Sequence, residues 1–338
     1  MTTIVKAADA AEFLSLVPRM LGFTPRRSLV VIPFAGARSL GAMRFDLPDD
    51  DAAVDRIAAT VIGMACRVSS ADAVALVVYA DESATSGAPR RALTDALEGR
   101  AHACGLDVTD AMWVASDGWG RYGGDGLVRE LSELGGRTSA GDQASGADLP
   151  EAARADRDAV SRALSAFGGA VRVLCGPDAA TGRVSAVDAC DLPADDGRVD
   201  PQALAAVCAL DDLPALFEGM LAWDATSLAP FDAATIAWCL ARPALRDIAL
   251  VQWCRGQSGG DEALDAQLRW EDGEEYPAHL AMQMWGEGER PDPERLAAAL
   301  GLARRVAALA PPSHRAGSLA TAAWISWALG RSTHADLY

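Results

Sequence analysis

The chain has 338 residues, of which 50% are hydrophobic, 23% charged and 6% aromatic. This is the composition of a globular protein, and the length predicts about two domains because a single core stops growing near 250–300 residues. Acidic residues outnumber basic ones by 47 to 30, which gives a formal net charge of -17. A surface of that charge repels phosphate backbones and anionic lipids, so composition argues against nucleic acid and membrane partners.

The cysteines are odd in number, widely scattered and never spaced as C-x-x-C: Cys66, Cys104, Cys175, Cys190, Cys208, Cys239 and Cys254. This pattern predicts neither a disulfide framework nor a zinc site, and we expect small buried side chains instead. The four histidines are isolated, which predicts no metal centre. No apolar run approaches the roughly 18 residues of a membrane span, and the first residues do not resemble a signal peptide. We therefore expect a cytoplasmic protein.

Residues 1–122 alternate between helical and strand-like patterns, which predicts a small α/β domain. The apolar spacing indicates helices over Ala7–Leu21, Val54–Cys66 and Pro89–Cys104, and strands over Ser28–Phe34, Leu40–Phe45, Ala73–Tyr79 and Asp107–Ala115. The first two strands are joined by a Gly-containing connection of hairpin length, so they should be antiparallel. The last two flank a helix, so they should be parallel.

Residues 123–199 are predicted to form a linker, a helix and a hairpin. The composition from Ser116 to about Asp148 is rich in Gly, Ser and Asp, which is typical of loops. A helix from about Leu149 to Phe167 should end at Gly168 and Gly169. The runs Val171–Cys175 and Val184–Asp188 then suggest a short hairpin.

Residues 200–338 are predicted to form an array of antiparallel helices. Several helical segments begin near a proline and end near a tryptophan, a spacing that suggests indoles packed between neighbouring helices: Pro214–Trp223, Pro230–Trp238, Pro243–Trp253, Asp261–Trp270 and Pro277–Trp285. Two longer helices, Pro291–Leu309 and Pro312–Leu329, complete the array. The fold class is therefore α/β followed by all-α.

The last helices have a spacing that resembles a known repeat. Leu319, Ala323, Gly330 and Ala335 stand at the offsets of the first helix and turn of a tetratricopeptide repeat, so a tetratricopeptide-like end is one interpretation. An ordinary helical hairpin gives the same spacing and is the other interpretation.

Polar and aromatic residues follow the two strands that should be parallel. In such sheets ligands bind beyond the carboxyl ends of the strands. The candidate ligand-binding residues are therefore Tyr79, Asp81 and Glu82 after one strand, and Asp117, Trp119, Arg121 and Tyr122 after the other. These side chains could hold a polar ligand with a planar part. They are equally the residue types that cap helices and form turns.

The sequence GQSGG at Gly256–Gly260 matches the G-x-S-x-G pattern of hydrolase nucleophile elbows, with Ser258 as the nucleophile. That motif requires a strand before it, whereas the surrounding segments look helical. A loop between two helices is the favoured interpretation. The glycine-rich signatures of dinucleotide and P-loop phosphate binding are absent, so no cofactor is assigned.

Four segments carry a family resemblance that covers nearly the whole chain: Phe13–Ile32, Ala75–Glu82, Asp110–Tyr122 and Arg305–Ala335. They resemble an actinobacterial family called domain of unknown function 4192. The pattern L-V-P-x-x-L-G-F-x-P-x-x-S-L-V-V in the first segment is the most specific. The chain differs from the family's usual pattern at Gly123–Gly126, which leads directly into another helix. The resemblance implies a cytoplasmic bacterial protein and supplies no catalytic residue.

Two functions fit these observations. The first is a binding or scaffold protein whose helical array holds a protein partner or a second copy of the chain. The second is an enzyme acting on a polar metabolite, in which Tyr79, Asp81, Glu82, Arg121 and Tyr122 supply acid-base and anion-holding groups. Convergence of these five side chains on one pocket would favour the enzyme, and their dispersal would favour the binding protein.

Overall fold

The computed structural model describes residues 7–124, 126–135, 141–176 and 199–338. Contacts along the chain divide it into two compact units, Met1–Gly146 and Ala147–Tyr338. A small mixed sheet occupies the first unit and helices make up most of the second. The predicted order, α/β followed by all-α, is confirmed.

The first unit contains a six-stranded sheet with strand order β2-β1-β4-β5-β6, and β3 pairs with β1. The strands are β1 (Ser28–Ala35), β2 (Arg38–Ser39), β3 (Met43–Asp46), β4 (Ala73–Tyr79), β5 (Asp107–Val114) and β6 (Trp119–Arg121). The predicted parallel pairing of β4 with β5 and the predicted antiparallel hairpin that begins with β1 are confirmed. Strand β1 also pairs antiparallel with β4, and β5 with β6, neither of which was predicted. The stretch from Ser116 was predicted as loop alone, which is wrong at β6, because three residues are too few to produce a strand pattern.

Strand β4 is buried on both faces, which explains its unbroken apolar sequence. Val74, Leu76 and Val78 pack in one core with helices α2 (Val54–Ala65) and α3 (Arg91–Ala103). The alternate residues of β4 pack in a second core with α1 (Ala10–Leu21). The unit therefore has three layers, with helices on both faces of the sheet.

The chain direction sets the two edges of this sheet. Helix α2 leads into β4 and α3 leads into β5, and both helices pack in the same core. Because β4 and β5 are parallel, the carboxyl ends of α2 and α3 lie together at the edge where these strands begin. The carboxyl ends of β4 and β5 lie at the opposite edge.

The described part of the second unit contains ten α-helices. They are α4 (Arg154–Cys175), α5 (Pro201–Cys208), α6 (Leu213–Met220), α7 (Pro230–Leu240), α8 (Pro243–Arg255), α9 (Gln257–Glu271), α10 (Ala278–Met284), α11 (Pro293–Leu309), α12 (Pro312–Ala328) and α13 (Ser332–Leu337). Helix α7 packs against α4, α5, α8, α11 and α12. This central position explains why α7 is apolar on nearly every side.

Helix α4 corrects two predictions. It continues through Gly168 and Gly169 to Cys175, so the expected helix end and the strand at Val171–Cys175 are both wrong. Leu164, Phe167 and Val171 lie on one buried stripe on both sides of the glycine pair, and burial of that stripe outweighs the low helix propensity of glycine. The other expected strand, Val184–Asp188, lies outside the described residues.

The tryptophans of the helical unit are not all packed between helices. Trp253 is 1% exposed, whereas Trp270 and Trp285 are 54% and 71% exposed, so the expected packing is wrong for these two. Four of the six described cysteines are also exposed, which corrects the expectation that they are buried: Cys66, Cys104, Cys175 and Cys208. Periodicity shows that a helix has an apolar side but not whether a neighbour covers it.

The last two helices form a hairpin whose connection contains Gly330 at φ 78. A left-handed backbone of this kind favours glycine and ends α12. A helical hairpin fits both interpretations of the carboxyl-terminal segment. The tetratricopeptide-like end stays a prediction.

A polar network connects three helices of the second unit. Arg295 of α11 donates to both carboxylate oxygens of Glu218 on α6, at 2.6 and 2.8 Å. Gln252 of α8 donates to Glu218 at 3.1 Å. The Arg295 hydrogen bonds and charge lower the pKa of Glu218, with a smaller contribution from Gln252 and against the effect of burial. Glu218 is therefore an ionised connection between helices that are distant in sequence.

We expect Glu218→Gln to destabilise the chain at neutral pH by about 1–2 kcal/mol, because it removes the charged partner of Arg295 while keeping its shape. Because the pKa of Glu218 is lower in the folded state than in the unfolded state, its charge stabilises the fold at pH values above the unfolded-state pKa of about 4.3. That stabilisation is lost as the pH falls through the folded-state pKa. Urea unfolding at pH 7 and pH 3 measures the effect. A variant equally destabilised at both pH values would contradict the ionic role. Asp265→Asn in the exposed pair with Arg269 is the control and should change stability by less than about 0.5 kcal/mol.

Candidate functional site

The carboxyl edge of the parallel strands carries charged side chains from three parts of the chain. Asp81 and Glu82 follow β4, while Arg26 and Arg27 precede β1. Ser28 pairs with Tyr79, so the antiparallel β1 brings the two arginines to the same edge. Arg26 lies between two carboxylates, 3.8 Å from Asp81 and 3.6 Å from Asp142. We call Arg26, Arg27, Asp81, Glu82 and Arg90 the carboxyl-edge cluster.

Within this cluster, Glu82 pairs with Arg90. Arg90 contacts it with Nε at 3.0 Å and Nη2 at 2.6 Å. Burial raises the pKa of Glu82, but its backbone hydrogen bond, the Arg90 hydrogen bond and the charges of Arg90 and Arg27 together hold that pKa below its usual value. Glu82 is therefore an anion at neutral pH that is paired with Arg90, whereas the direct partner of Arg27 is Asp49, at 2.9 Å.

Arg27 and Arg90 share an unusual backbone conformation. They have φ values of 43° and 54°, and among the described residues they are the non-glycine residues with positive φ. A left-handed conformation costs a non-glycine residue about 1–2 kcal/mol. Strain of this kind concentrates at functional sites, where the surrounding structure maintains it. Here Arg90 pairs with Glu82, while Arg27 pairs with Asp49 and acts on Glu82 only through its charge.

Asp117 lies on the adjacent loop, and its neighbours define its role. Its carboxylate accepts hydrogen bonds from the Ser83 hydroxyl and, at 2.8 Å, from the Ala84 amide. The Ser83 and Ala84 hydrogen bonds lower the pKa of Asp117. This carboxylate therefore holds the short 3-10 helix Ala84–Ser86 against the β5–β6 loop. It is a capping group at the same edge.

The two candidate tyrosines belong to different cores of the first unit. Tyr79 packs in the core with α1, where burial raises its pKa, and no described residue hydrogen-bonds its hydroxyl. Tyr122 packs in the core with α2 and α3 on the other side of the sheet, and its hydroxyl donates to the Pro89 carbonyl. These two phenols therefore face away from each other.

Trp119 and Arg121 lie on β6. Trp119 is buried in the core with α1, and its Nε1 donates to the Glu130 carbonyl at 3.2 Å. Arg121 pairs with Met112 in the body of β5 and forms an ion pair with Asp110. Of the seven predicted site residues, Asp81, Glu82 and Asp117 are exposed at this edge. The side chains of Tyr79, Trp119 and Tyr122 are instead buried in the two cores, and Arg121 pairs with Asp110 within the sheet.

Sequence reasoning missed the three arginines of the carboxyl-edge cluster. Arg26 and Arg27 come about 55 residues before Glu82, and only the pairing of β1 with β4 joins them. The apolar runs predicted both strands but contained no signal for their partnership. Arg90 immediately precedes α3 and has a left-handed backbone. That conformation is normally predicted only where the sequence has glycine, so the direction of the Arg90 side chain could not be predicted.

An apolar patch is exposed on the second unit. Trp285 follows α10 and is 71% exposed, and the nearby Met282 and Trp327 are 38% and 43% exposed. Trp327 lies against Gly286, where an added Cβ would come within 2.5 Å of its ring. Trp324 donates from Nε1 to the Met284 carbonyl at 3.0 Å and so ties α12 to α10. We call Met282, Trp285 and Trp327 the Trp285 patch.

The GQSGG segment is not a nucleophile elbow. Helix α8 ends at Arg255, and α9 begins at Gln257, so Gly256 alone separates two helices. An elbow requires a preceding strand, which excludes that arrangement at Ser258. Gly260 instead allows close packing, because an added Cβ would meet the Gln252 side chain at 2.0 Å. The loop predicted over Gly256–Gly260 is reduced to Gly256, because α9 includes Ser258 and both following glycines.

Among the described residues no three His, Cys, Asp or Glu side chains are grouped so that they could hold a metal ion. None of the helices in the described ranges combines the length and the apolar character needed to cross a membrane.

The fold and its sites define a protein with a three-layer α/β unit and a helical unit, each with its own candidate surface. The model of the family described as Domain of unknown function (DUF4192) matches residues 11–291. The chain belongs to this family. No curated protein and no solved structure matched the chain.

Proposed function

We propose that this protein is a non-catalytic binding module whose helical unit holds a basic segment of a protein partner at the Trp285 patch. The observation that supports the proposal is the exposure of two indoles and a methionine at adjoining positions. Trp and Met are enriched at protein interfaces, and a few such residues supply most of the binding energy. A cytoplasmic location is part of the proposal, because the six described cysteines are all free thiols.

The patch is held in place before any partner binds. The Trp327 ring packs on Gly286, and Trp324 lies 6.2 Å from Trp327 between ring centres. Side chains that are already ordered lose little conformational entropy on binding. Burying large apolar side chains yields about 25 cal/mol per Å² of apolar surface. The Trp285 patch is therefore a suitable anchor site.

The charges around the patch determine the partner's chemistry. Exposed acidic residues lie on both sides of α10 in sequence: Glu271, Asp272, Glu274, Glu275, Glu287 and Glu289. Two copies of this chain meeting patch to patch would bring these carboxylates together, which is unfavourable. A partner segment with apolar anchors and Lys or Arg around them complements both features. We therefore favour a basic partner over self-association.

The test uses a synthetic amphipathic helix of Leu and Lys and a matched peptide with Glu in place of Lys. We expect the full chain to bind the basic peptide and not the acidic one, measured by calorimetry at physiological salt. Trp285→Ala should weaken binding by about 10–100-fold, because truncating a central aromatic residue costs on the order of 2 kcal/mol.

Trp270→Ala is the matched control, since Trp270 is also exposed but is not in the patch. It keeps the net charge and should leave the affinity unchanged. Equal losses in both variants would show that binding is not confined to the patch, and an affinity that Trp285→Ala leaves unchanged would show that binding is only electrostatic. Either result would overturn the proposal. A dimer in sedimentation that Trp285→Ala dissociates would replace the basic partner with a second copy of the chain.

A second candidate function is supported by the strained arginines of the carboxyl-edge cluster. Arg27 and Arg90 hold left-handed backbones at the edge where ligands of parallel sheets bind. The alternative is therefore an enzyme or binding protein for a polar metabolite held by Asp81, Glu82 and the arginines.

Thermal unfolding against a panel of nucleotides and of carboxylated and phosphorylated metabolites tests this candidate. A ligand at 100 times its Kd adds about 2.7 kcal/mol of stability, which is a clear upward shift. Glu82→Gln should abolish the shift, and Arg121→Ala should keep it, because Arg121 pairs with Asp110 within the sheet. A panel without any shift would reject the candidate.

A further inference from the structure

Two cysteines meet at the amino edge of the parallel strands, opposite to the carboxyl-edge cluster. Cys66 is the residue that follows α2, and Cys104 is the residue that follows α3. They are 38 residues apart in sequence, and no local pattern connects them. Both are exposed, and their side chains are within hydrogen-bonding reach of each other.

The fold makes this meeting a fixed feature. Helices α2 and α3 pack against each other and lead into the parallel strands β4 and β5, so they run in the same direction. The residue that follows each helix has a negative φ, -64° at Cys66 and -92° at Cys104. The two thiols therefore occupy equivalent positions on neighbouring helices.

We propose that Cys66 and Cys104 form a reversible redox modification site, in which oxidation by a low-molecular-weight disulfide joins them in an intramolecular disulfide. A disulfide requires two thiols whose backbones already lie close, and the adjacent helix ends supply this arrangement. Exposure gives the small oxidant access to both sulfurs.

The reaction is a pair of thiol–disulfide exchanges. The thiolate of one cysteine attacks the small disulfide, forms a mixed disulfide and releases one small thiol. The second cysteine, as a thiolate, attacks the protein sulfur of that mixed disulfide, forms the Cys66–Cys104 bond and releases the second small thiol. Two protons and two electrons pass from the cysteine pair to the small disulfide, and a small dithiol reverses the reaction.

Two features determine how fast this pair reacts. Burial, followed by the hydrogen bond with Cys104, raises the pKa of the Cys66 thiol. A carboxyl-terminal helix end also disfavours a thiolate. We therefore expect slow oxidation at neutral pH that accelerates as the pH rises, rather than the rapid reaction of a catalytic thiol.

The test incubates the full chain with oxidised glutathione, blocks the remaining thiols and measures the mass. We expect a monomer in which two cysteines have lost their hydrogens and carry no blocking group, and a peptide map that joins Cys66 to Cys104. Oxidation should also raise the melting temperature by roughly 5–10 °C, because the bond closes a long loop, and reduction should reverse the shift.

Cys66→Ser and Cys104→Ser should each stop at a glutathione adduct on the remaining cysteine and show no increase in melting temperature. Cys208→Ser removes an exposed cysteine of the second unit and should behave like the unmodified chain. Glutathione adducts on both cysteines without a bond between them, or a disulfide only between chains, would overturn the proposal. The melting shift of the unmodified chain tests it even if a serine variant folds poorly.

Discussion

We expect Trp253→Ala to lower the free energy of unfolding by about 3–5 kcal/mol. Trp253 is 1% exposed in the last turn of α8, and it packs edge-on against Phe217 with 6.4 Å between ring centres. Its Nε1 donates to the Phe217 carbonyl at 3.1 Å. The substitution leaves a cavity and removes the donor of a buried carbonyl, and each of these effects is costly.

Urea unfolding, monitored by the circular dichroism signal of the helices, measures this loss. The midpoint urea concentration should fall while the dependence of the unfolding free energy on urea concentration stays unchanged. Trp270→Ala is the control and should cost less than about 0.5 kcal/mol, because that indole is 54% exposed. A loss below about 1 kcal/mol for Trp253→Ala would mean that α6 and α8 do not pack as described.

The second large effect is expected at Gly317, inside α12. An added Cβ would come within 2.2 Å of the Leu240 carbonyl oxygen and 2.8 Å of the Ala241 Cα, both backbone atoms at the end of α7. Backbone atoms cannot rotate away, so Gly317→Ala has to move the two helices apart. We expect a loss of roughly 3 kcal/mol, near the upper end for an overpacked core.

Gly219→Ala is the matched control for this substitution. Gly219 lies in α6 with nothing within 4 Å of an added Cβ. Alanine there should stabilise the chain by about 0.5–1 kcal/mol, since it has the higher helix propensity. If the two substitutions change the free energy of unfolding in opposite directions, the close approach of two helix backbones, and not the loss of a glycine, determines the effect. Destabilisation by both would contradict this reading of Gly317.

Different interactions would hold a ligand at each of the two candidate surfaces. The Trp285 patch offers apolar area and an acidic surround, so binding there should combine burial with a moderate dependence on salt. The carboxyl-edge cluster offers paired charges on a strained backbone, so a ligand there has to replace existing ion pairs. The peptide and metabolite experiments therefore distinguish the two functions independently.

The secondary structure was largely predictable because burial leaves a periodic signal. The unbroken apolar run of β4 is buried on both faces, and Pro230, Pro243 and Pro312 begin helices as expected. The prediction was wrong at Gly168 and Gly169, because the buried stripe of α4 continues across them. Helix propensity contributes little to the stability of a helix in a folded protein, and burial against other helices outweighs it.

The sequence by itself determined the class of fold, the parallel pairing of β4 with β5 and the acidic surface, because local patterns and composition encode these properties. Only the tertiary structure decided which side chains meet. It paired Arg90 with Glu82, brought Cys66 to Cys104 and left Trp285 uncovered while burying Trp253. The physical reason is that contacts between distant segments depend on strand order and helix packing, which no single segment's periodicity contains.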